Sequence, residues 1–175
     1  MRHAITLLLS AALAACGSSS GKETLHANMD ATQELPAPVG LANPPPTGTA
    51  AFTNNGDGTV SYTVNASSLS TQFSGVTFTG MHIHFAPVGS FAGVVVPLTT
   101  PTIPTGATGA AAGTITVTGT FTSSTCTTGV VNCINAGNTV DSVLTQMRNG
   151  GAYINIHTSR NTGGELRGQV QPGGL

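Results

Sequence analysis

Thr49-Ala50-Ala51-Phe52-Thr53 and Thr59-Val60-Ser61-Tyr62-Thr63-Val64-Asn65 flank the turn-forming run Asn54-Asn55-Gly56-Asp57-Gly58. In the second arm Val60, Tyr62 and Val64 alternate with Ser61, Thr63 and Asn65, a period of two that gathers the apolar side chains on one face of a strand. Between the arms, Asn-Gly and Asp-Gly steps supply residues that tolerate positive φ, which a tight antiparallel turn requires. The stretch predicts a β-hairpin with one buried face and one polar, threonine-bearing face.

The same pattern recurs on both sides of it. Residues 25–29 alternate apolar with polar until Gln33-Glu34-Leu35-Pro36 ends the run, and the proline-rich residues 37–46 predict an irregular surface loop. Residues 76–85 read as a strand region interrupted by Gly80, and 93–98 as a short, continuously apolar, buried strand. After a Pro/Gly/Thr/Ala connection over 101–112, residues 114–122 alternate with Ile115, Val117 and Phe121 inward. The last strands, 152–157 and 165–170, are joined by a turn holding Asn161 and Gly163-Gly164. One segment breaks the period: Val140, Val143, Leu144 and Met147 fall at i, i+3, i+4 and i+7, with Thr139 or Asn138 as N-cap and Gly150 as stop. Seven or eight short strands with Greek-key-sized gaps and one short helix predict an all-β domain, a β-sandwich or flattened barrel.

Composition agrees. Among 175 residues are 28 Thr and 23 Gly but no Trp, and 6% are charged, against roughly a quarter in an ordinary soluble domain. Five Lys and Arg against six Asp and Glu leave a net charge of −1, which argues against nucleic acid as a partner, since phosphates call for a basic face. No serine or cysteine nucleophile has a recognisable setting, since Gly17-Ser18-Ser19-Ser20-Gly21 matches G-x-S-x-G only inside the serine-rich tether, and no P-loop or dinucleotide fingerprint is present.

Arg2 and His3 precede an apolar run over 4–15, too short to span a bilayer as a mature helix, and the pattern is that of a secretory signal. Leu13-Ala14-Ala15-Cys16 resembles the bacterial lipoprotein box, whose Cys is acylated and becomes the first mature residue. Gly17 after it resembles the pattern sorted to the outer membrane. The expected organisation is therefore a lipoprotein signal over 1–15, a flexible tether over 16–23 and one domain over 24–175, lipid-anchored through Cys16 in the cell envelope. In that oxidising compartment the remaining pair, Cys126 and Cys133, is expected to form a disulfide, with metal ligation as the rival reading.

Four His remain after the signal: His26, His82, His84 and His157. In Met81-His82-Ile83-His84-Phe85 the apolar trio takes the core face, which puts both imidazoles on the outer face, about 7 Å apart at Cα. In Tyr153-Ile154-Asn155-Ile156-His157 the two Ile point inward, so His157 is expected outward beside Asn155 and Tyr153. An H-x-H pair with a third His on another strand is a geometry that copper and zinc sites use. The plainer alternative is three imidazoles that only hydrogen-bond outer-face neighbours. His26 reads as a surface residue or a fourth ligand, and Met29 and Met81 as packing residues.

The chain also resembles a known family. The run from His26 to Pro36, ending Gln33-Glu34-Leu35-Pro36, is similar to the opening of the chordin-type (CHRD) domain, L-x-G-x-Q-E-V-P-P. Gly48-Thr49-Ala50-Ala51-Phe52 and Val60-Ser61-Tyr62-Thr63-Val64 look like its first hairpin, and Met81-His82-Ile83-His84 like its A-H-I-H. Tyr153-Ile154-Asn155-Ile156-His157-Thr158 with Gly163-Gly164-Glu165-Leu166-Arg167-Gly168-Gln169 resembles its close, Y-V-N-V-H-T…G-G-E-I-R-G-Q. The resemblance covers about residues 25–171 and implies an immunoglobulin-like Greek-key β-sandwich exported from the cytoplasm.

The His pattern looks as well like the copper-side ligands of copper/zinc superoxide dismutases, carried on a related Greek-key barrel. That likeness implies that His157 meets His82 and His84 as the third ligand of a copper ion, with zinc the alternative metal. No His is found for a bridging imidazolate and no His/Asp set for a second metal, so a dinuclear site is not expected.

Three functions compete at this stage. The leading one is copper binding or redox handling by a surface-anchored lipoprotein. The second is a non-enzymatic extracellular interaction or adhesion module with structural His. The third, a mononuclear zinc hydrolase, needs a general base, for which Glu165 is the only acidic residue close to the late His motif. No catalytic residue is assigned. Glu165 and Arg167 are expected to share an outer face, and Gln33 and Glu34 to close a loop by hydrogen bonding.

Overall fold

The computed structural model describes residues 22–70, 80–98, 114–127 and 129–173. The expected signal, Cys16 and the tether through residue 21 lie outside the described residues, as do residues 76–79 of the expected strand and the 101–112 connection. The described strands are β1 (Thr24–Asp30), β2 (Thr47–Asn54), β3 (Thr59–Ser67), β4 (Met81–His84), β5 (Val94–Pro97), β6 (Ile115–Thr122), β7 (Tyr153–Ile156), β8 (Leu166–Gln169) and β9 (Gln171–Pro172). One helix, α1 (Val140–Arg148), precedes β7. Among the described residues the strands number nine against the expected seven or eight, the addition being β9, a two-residue strand laid against β1.

The hairpin forms where the alternation placed it. β2 and β3 pair from Thr47↔Ser67 to Asn54↔Val60. Its turn is held by side chains: Asn54 Oδ1 accepts from Gly56 N, and Asp57 Oδ1 from Thr59 N, both at 3.0 Å. Gly56 and Gly58 supply the positive φ, +79° and +83°. Thr139 caps α1 through a capping box with Ser142, and Gly150, at φ +66°, lies just beyond its end.

The strands run in the order β5-β4-β7-β8-β1-β2-β3-β6, with every strand pair antiparallel. This path curls into a nearly closed, barrel-like sandwich, so the all-β expectation holds. Residues 132–135 join the two ends of the path. Asn132 N donates to Pro97 O at the β5 edge (2.7 Å), Asn135 N to Val95 O (2.9 Å), and Thr122 N of β6 to Asn132 O (3.2 Å). The expected disulfide, Cys126–Cys133, ties this joining segment together.

Inside lie the alternating residues of each strand: Leu25, Phe52, Val60, Ile83, Phe121 and Ile154 are fully buried, and Val143 and Met147 add the inner side of α1. Tyr62 also turns inward, its phenol donating to Asn132 Oδ1 at 2.7 Å. It packs over Gly119, its register partner on β6, where a Cβ would collide with the phenol.

Candidate metal centre

The site follows from strand alternation on β4 and β7. Met81, Ile83, Ile154 and Ile156 are fully buried in the core, so His82 and His84 project from the opposite face together with Tyr153 and Asn155. Register sets His82 beside Asn155 and His84 beside Tyr153. His157, one residue past β7, continues the same alternation. The ring centroids of His82 and His84 stand 5.4 Å apart and those of His82 and His157 4.8 Å. One ligand nitrogen from each imidazole lies within 4.8 Å of the other two.

The outer face on which the His were expected is covered. The three His do lie on the face away from the core, but His82 is 4% exposed and His84 7%, and His157 is half-buried. Loops roof this face. Residues 85–93 fold over it, held from β8 by Gln169 Nε2 donating to Ala86 O (2.9 Å) and Arg167 Nη2 to Pro87 O (3.3 Å). Residues 34–40 come in from the other side: Glu34 accepts from Asn155 Nδ2, Val39 N donates to Asn161 Oδ1 (2.8 Å), and Arg160 Nη1 to Gly40 O (2.6 Å). The turn carrying Asn161 completes the cover, with Gly164 at φ +131°; any side chain there would strike Glu34 and Asn155.

Glu165 and Arg167 are corrected likewise, since both are buried. Glu165 takes hydrogen bonds from Ser70 N (2.6 Å), Thr158 Oγ1 (2.6 Å) and Asn161 Nδ2 (2.9 Å), which commits its carboxyl to holding the turn after His157. A base role for Glu165 is thereby lost. Arg167 lies over the Tyr153 ring, its guanidinium carbon 3.6 Å from the centroid. His84 stacks on the same ring at 4.7 Å, within 4° of parallel. Because β4 and β8 flank β7, the order is His84, Tyr153, Arg167. His26, on β1 beside Ala51 and Gln171, takes no part in the cluster.

The roofing loops also set the chemistry of the imidazoles. His84 Nδ1 is 2.9 Å from Ala92 O, and His157 Nδ1 is 2.8 Å from Thr162 O. A carbonyl only accepts, so each Nδ1 carries the proton and each Nε2 keeps its lone pair. Both Nε2 atoms are buried with no hydrogen-bond partner among the described residues. Burial holds the His84 ring down to about 4, opposed by its bond to Ala92 and reinforced by His157; burial also lowers His157. Both are therefore neutral at pH 7, the state a metal ligand needs, and a carbonyl on the far nitrogen is the usual means of orienting such a ligand.

Two nitrogens bound to one ion at about 2.0–2.1 Å stand at most about 4.2 Å apart, so small ring rotations suffice to close the set. The donor set is all imidazole, which suits copper or zinc and leaves at least one coordination position open. His84 and His157 also line a cavity of about 260 Å³ bounded by Glu34, Leu35, Pro36 and Phe91. Burial pushes the Glu34 carboxyl up to about 7, against the opposing pull of Leu35 N–H and Arg167.

Sequence reasoning placed the three His and the neighbours Tyr153 and Asn155 on one face. It assigned no site role to Glu34 or to the carbonyls of Ala92 and Thr162. The available signal was the pairing of Gln-Glu-Leu-Pro with Asn-Ile-His, whose Glu34 and Asn155 meet. Among the comparisons with known proteins, the family model for the CHRD domain matches residues 25–170. No curated protein and no solved structure gives a match.

Proposed function

The chain belongs to the CHRD domain family, and from that premise we propose that its domain binds one copper ion through His82, His84 and His157, outside the cytoplasm, at a membrane surface to which lipid on Cys16 anchors it. The observation that carries the metal reading is the state of the imidazoles: converged and covered, with His84 and His157 each donating Nδ1–H to a carbonyl and keeping an unsatisfied Nε2. Purely structural His have no need of two buried Nε2 atoms without a partner. Copper is favoured over zinc because, for a given nitrogen site, affinity among divalent ions peaks at Cu²⁺. The anchoring half of the reading rests on the signal pattern and on Leu13-Ala14-Ala15-Cys16.

The test is copper titration of the purified protein beside a His82/His84/His157 triple alanine variant. One equivalent bound by wild type and lost in the variant is the expected result, and alanine at any single position should weaken binding at least tenfold. Equal copper uptake by both proteins, or none by either, overturns the site and returns the domain to the interaction-module reading. Cys16→Ser should move the protein from the membrane fraction to the soluble one; unchanged fractionation overturns the anchor.

A further inference from the structure

We propose that the loops over 35–46 and 85–93 form a membrane-contact surface, with Val88 and Phe91 seated at the headgroup–acyl boundary of the bilayer. The proposal rests on the anchoring half of the reading above, the lipid on Cys16, and adds which side of the domain meets the membrane. Among the described residues, the large apolar side chains left exposed are Leu35, Val39, Val88, Phe91 and Val130. Four of the five stand on these two loops, with Val39 67%, Val88 77% and Phe91 79% exposed. The loops meet, since Leu35 and Pro36 of one and Phe91 of the other border a single cavity. Apolar side chains gathered in this way, and not scattered singly, mark a surface with an occupant.

Composition selects the kind of occupant. Neither loop carries a charged residue, and Asn43 and Ser90 are their only polar side chains. A protein interface is rimmed by polar and charged side chains that pair across it, whereas two loops without them match hydrocarbon. Six prolines in the two loops also remove backbone N–H groups, donors that would lose their water at a membrane.

Position puts the bilayer within reach. β4 ends at His84, which faces Tyr153 at the start of β7. Tyr153 faces Gln169 at the end of β8, and Gln171, two residues on, faces His26 of β1. The 85–93 loop therefore leaves the sheet at the end where the chain enters β1. Ala92 N holds this loop over β7 by donating to the Tyr153 hydroxyl (3.4 Å), and β7 lies two strands from β1, about 10 Å. From Cys16 to Thr24 are eight residues, at most about 29 Å of chain. Lipid on Cys16 thus keeps the bilayer close to Val88 and Phe91, and their burial there fixes which side of the domain faces it.

The chain has no Trp, so one introduced at a time reports its own surroundings. The experiment reconstitutes the full, acylated chain into phosphatidylcholine vesicles, with and without bromine on the acyl chains, carrying Phe91→Trp, Val88→Trp or, as reference, Thr118→Trp. Thr118 is exposed on β6, in the other half of the strand path. All three side chains stand outside the core, so the fold tolerates the larger ring. The expected result is emission at 88 and 91 that shifts to the blue and is quenched at least twofold by brominated lipid, with 118 unchanged. Adding Phe91→Asp to Val88→Trp should abolish the quenching while the chain stays on the vesicles. Equal quenching at all three positions, or none at any, in vesicle-bound protein overturns the contact surface alone. A blue shift that bromine leaves unquenched marks a second copy or another protein as the occupant, and overturns it as well. A chain that does not float with the vesicles overturns the anchor and this proposal together.

Discussion

Glu34 and His84 sit under the same roof, and burial drives their proton affinities in opposite directions. Glu34 keeps its proton up to about pH 7 in the fold, against 4.5 in the open chain. The proton it retains stabilises the fold fully below pH 4.5, and that contribution is lost as pH rises through 7. His84 has its affinity lowered to about 4 from 6.5, so its contribution is present above pH 6.5 and lost as pH falls through 4. Between 4.5 and 6.5 the two oppose one another, and the comparison that separates them is Glu34→Gln. In metal-free protein the difference in stability between wild type and Glu34→Gln should shift in the variant's favour by about 3 kcal/mol between pH 4.5 and 7.5, read from denaturant midpoints. A difference that stays constant with pH would show that Glu34 ionises as in water. None of this was legible from Gln33-Glu34-Leu35-Pro36 alone, because the burial of Glu34 comes from Asn155 and the Gly164 turn, more than a hundred residues away. Glu165 misled for the same reason: its neighbour Leu166 predicted its face correctly, but Ser70, 95 residues upstream, is what takes it out of solvent.

At the scale of elements, the periodic segments were readable and their closure was not. The β2–β3 hairpin, β6 and α1 each carry their own pattern, so local side-chain spacing sufficed to find them and to narrow the cap to Thr139 or Asn138, of which the fold uses Thr139. Parity, with an oxidising compartment expected from the signal pattern, likewise paired Cys126 with Cys133. What spacing could not express is that the segment they staple bridges β5 to β6 and so joins the two ends of the strand path. Those edges are brought together by the twist and curl of eight strands, a property of the assembled sheet. Reduction of the disulfide should therefore cost about 2.5 kcal/mol by loop-closure entropy, read as a lower denaturant midpoint. Copper affinity should stay within about twofold, since β4 and β7 lie inward of the β5 edge. A large loss of affinity on reduction would mean that closure of the barrel, and not the pairing of β4 with β7, sets the His geometry.

For the molecule as a whole, an ion at the three imidazoles would couple distant segments of the chain. The three imidazoles come from β4 and from the end of β7, strands separated by about seventy residues of chain, and the carbonyls that orient two of them come from the 85–93 loop and the turn after β7. An ion held there draws together segments that the unfolded chain keeps apart, so it binds the native state far more tightly than the denatured one. At free copper a hundredfold above Kd, that preference amounts to about 2.7 kcal/mol of added stability. For a domain of this size each kcal/mol moves Tm by about 2–4 °C, so loading should raise Tm by roughly 5–10 °C, and chelation should reverse it. The His82/His84/His157 triple alanine variant should melt at one temperature with or without copper. The same scan carries an internal control in His26, which stands on β1 apart from the cluster: His26→Ala should keep the full shift. If His26→Ala lost it, the stabilising ion would be bound elsewhere on the barrel, and the convergence of the three imidazoles would be packing alone.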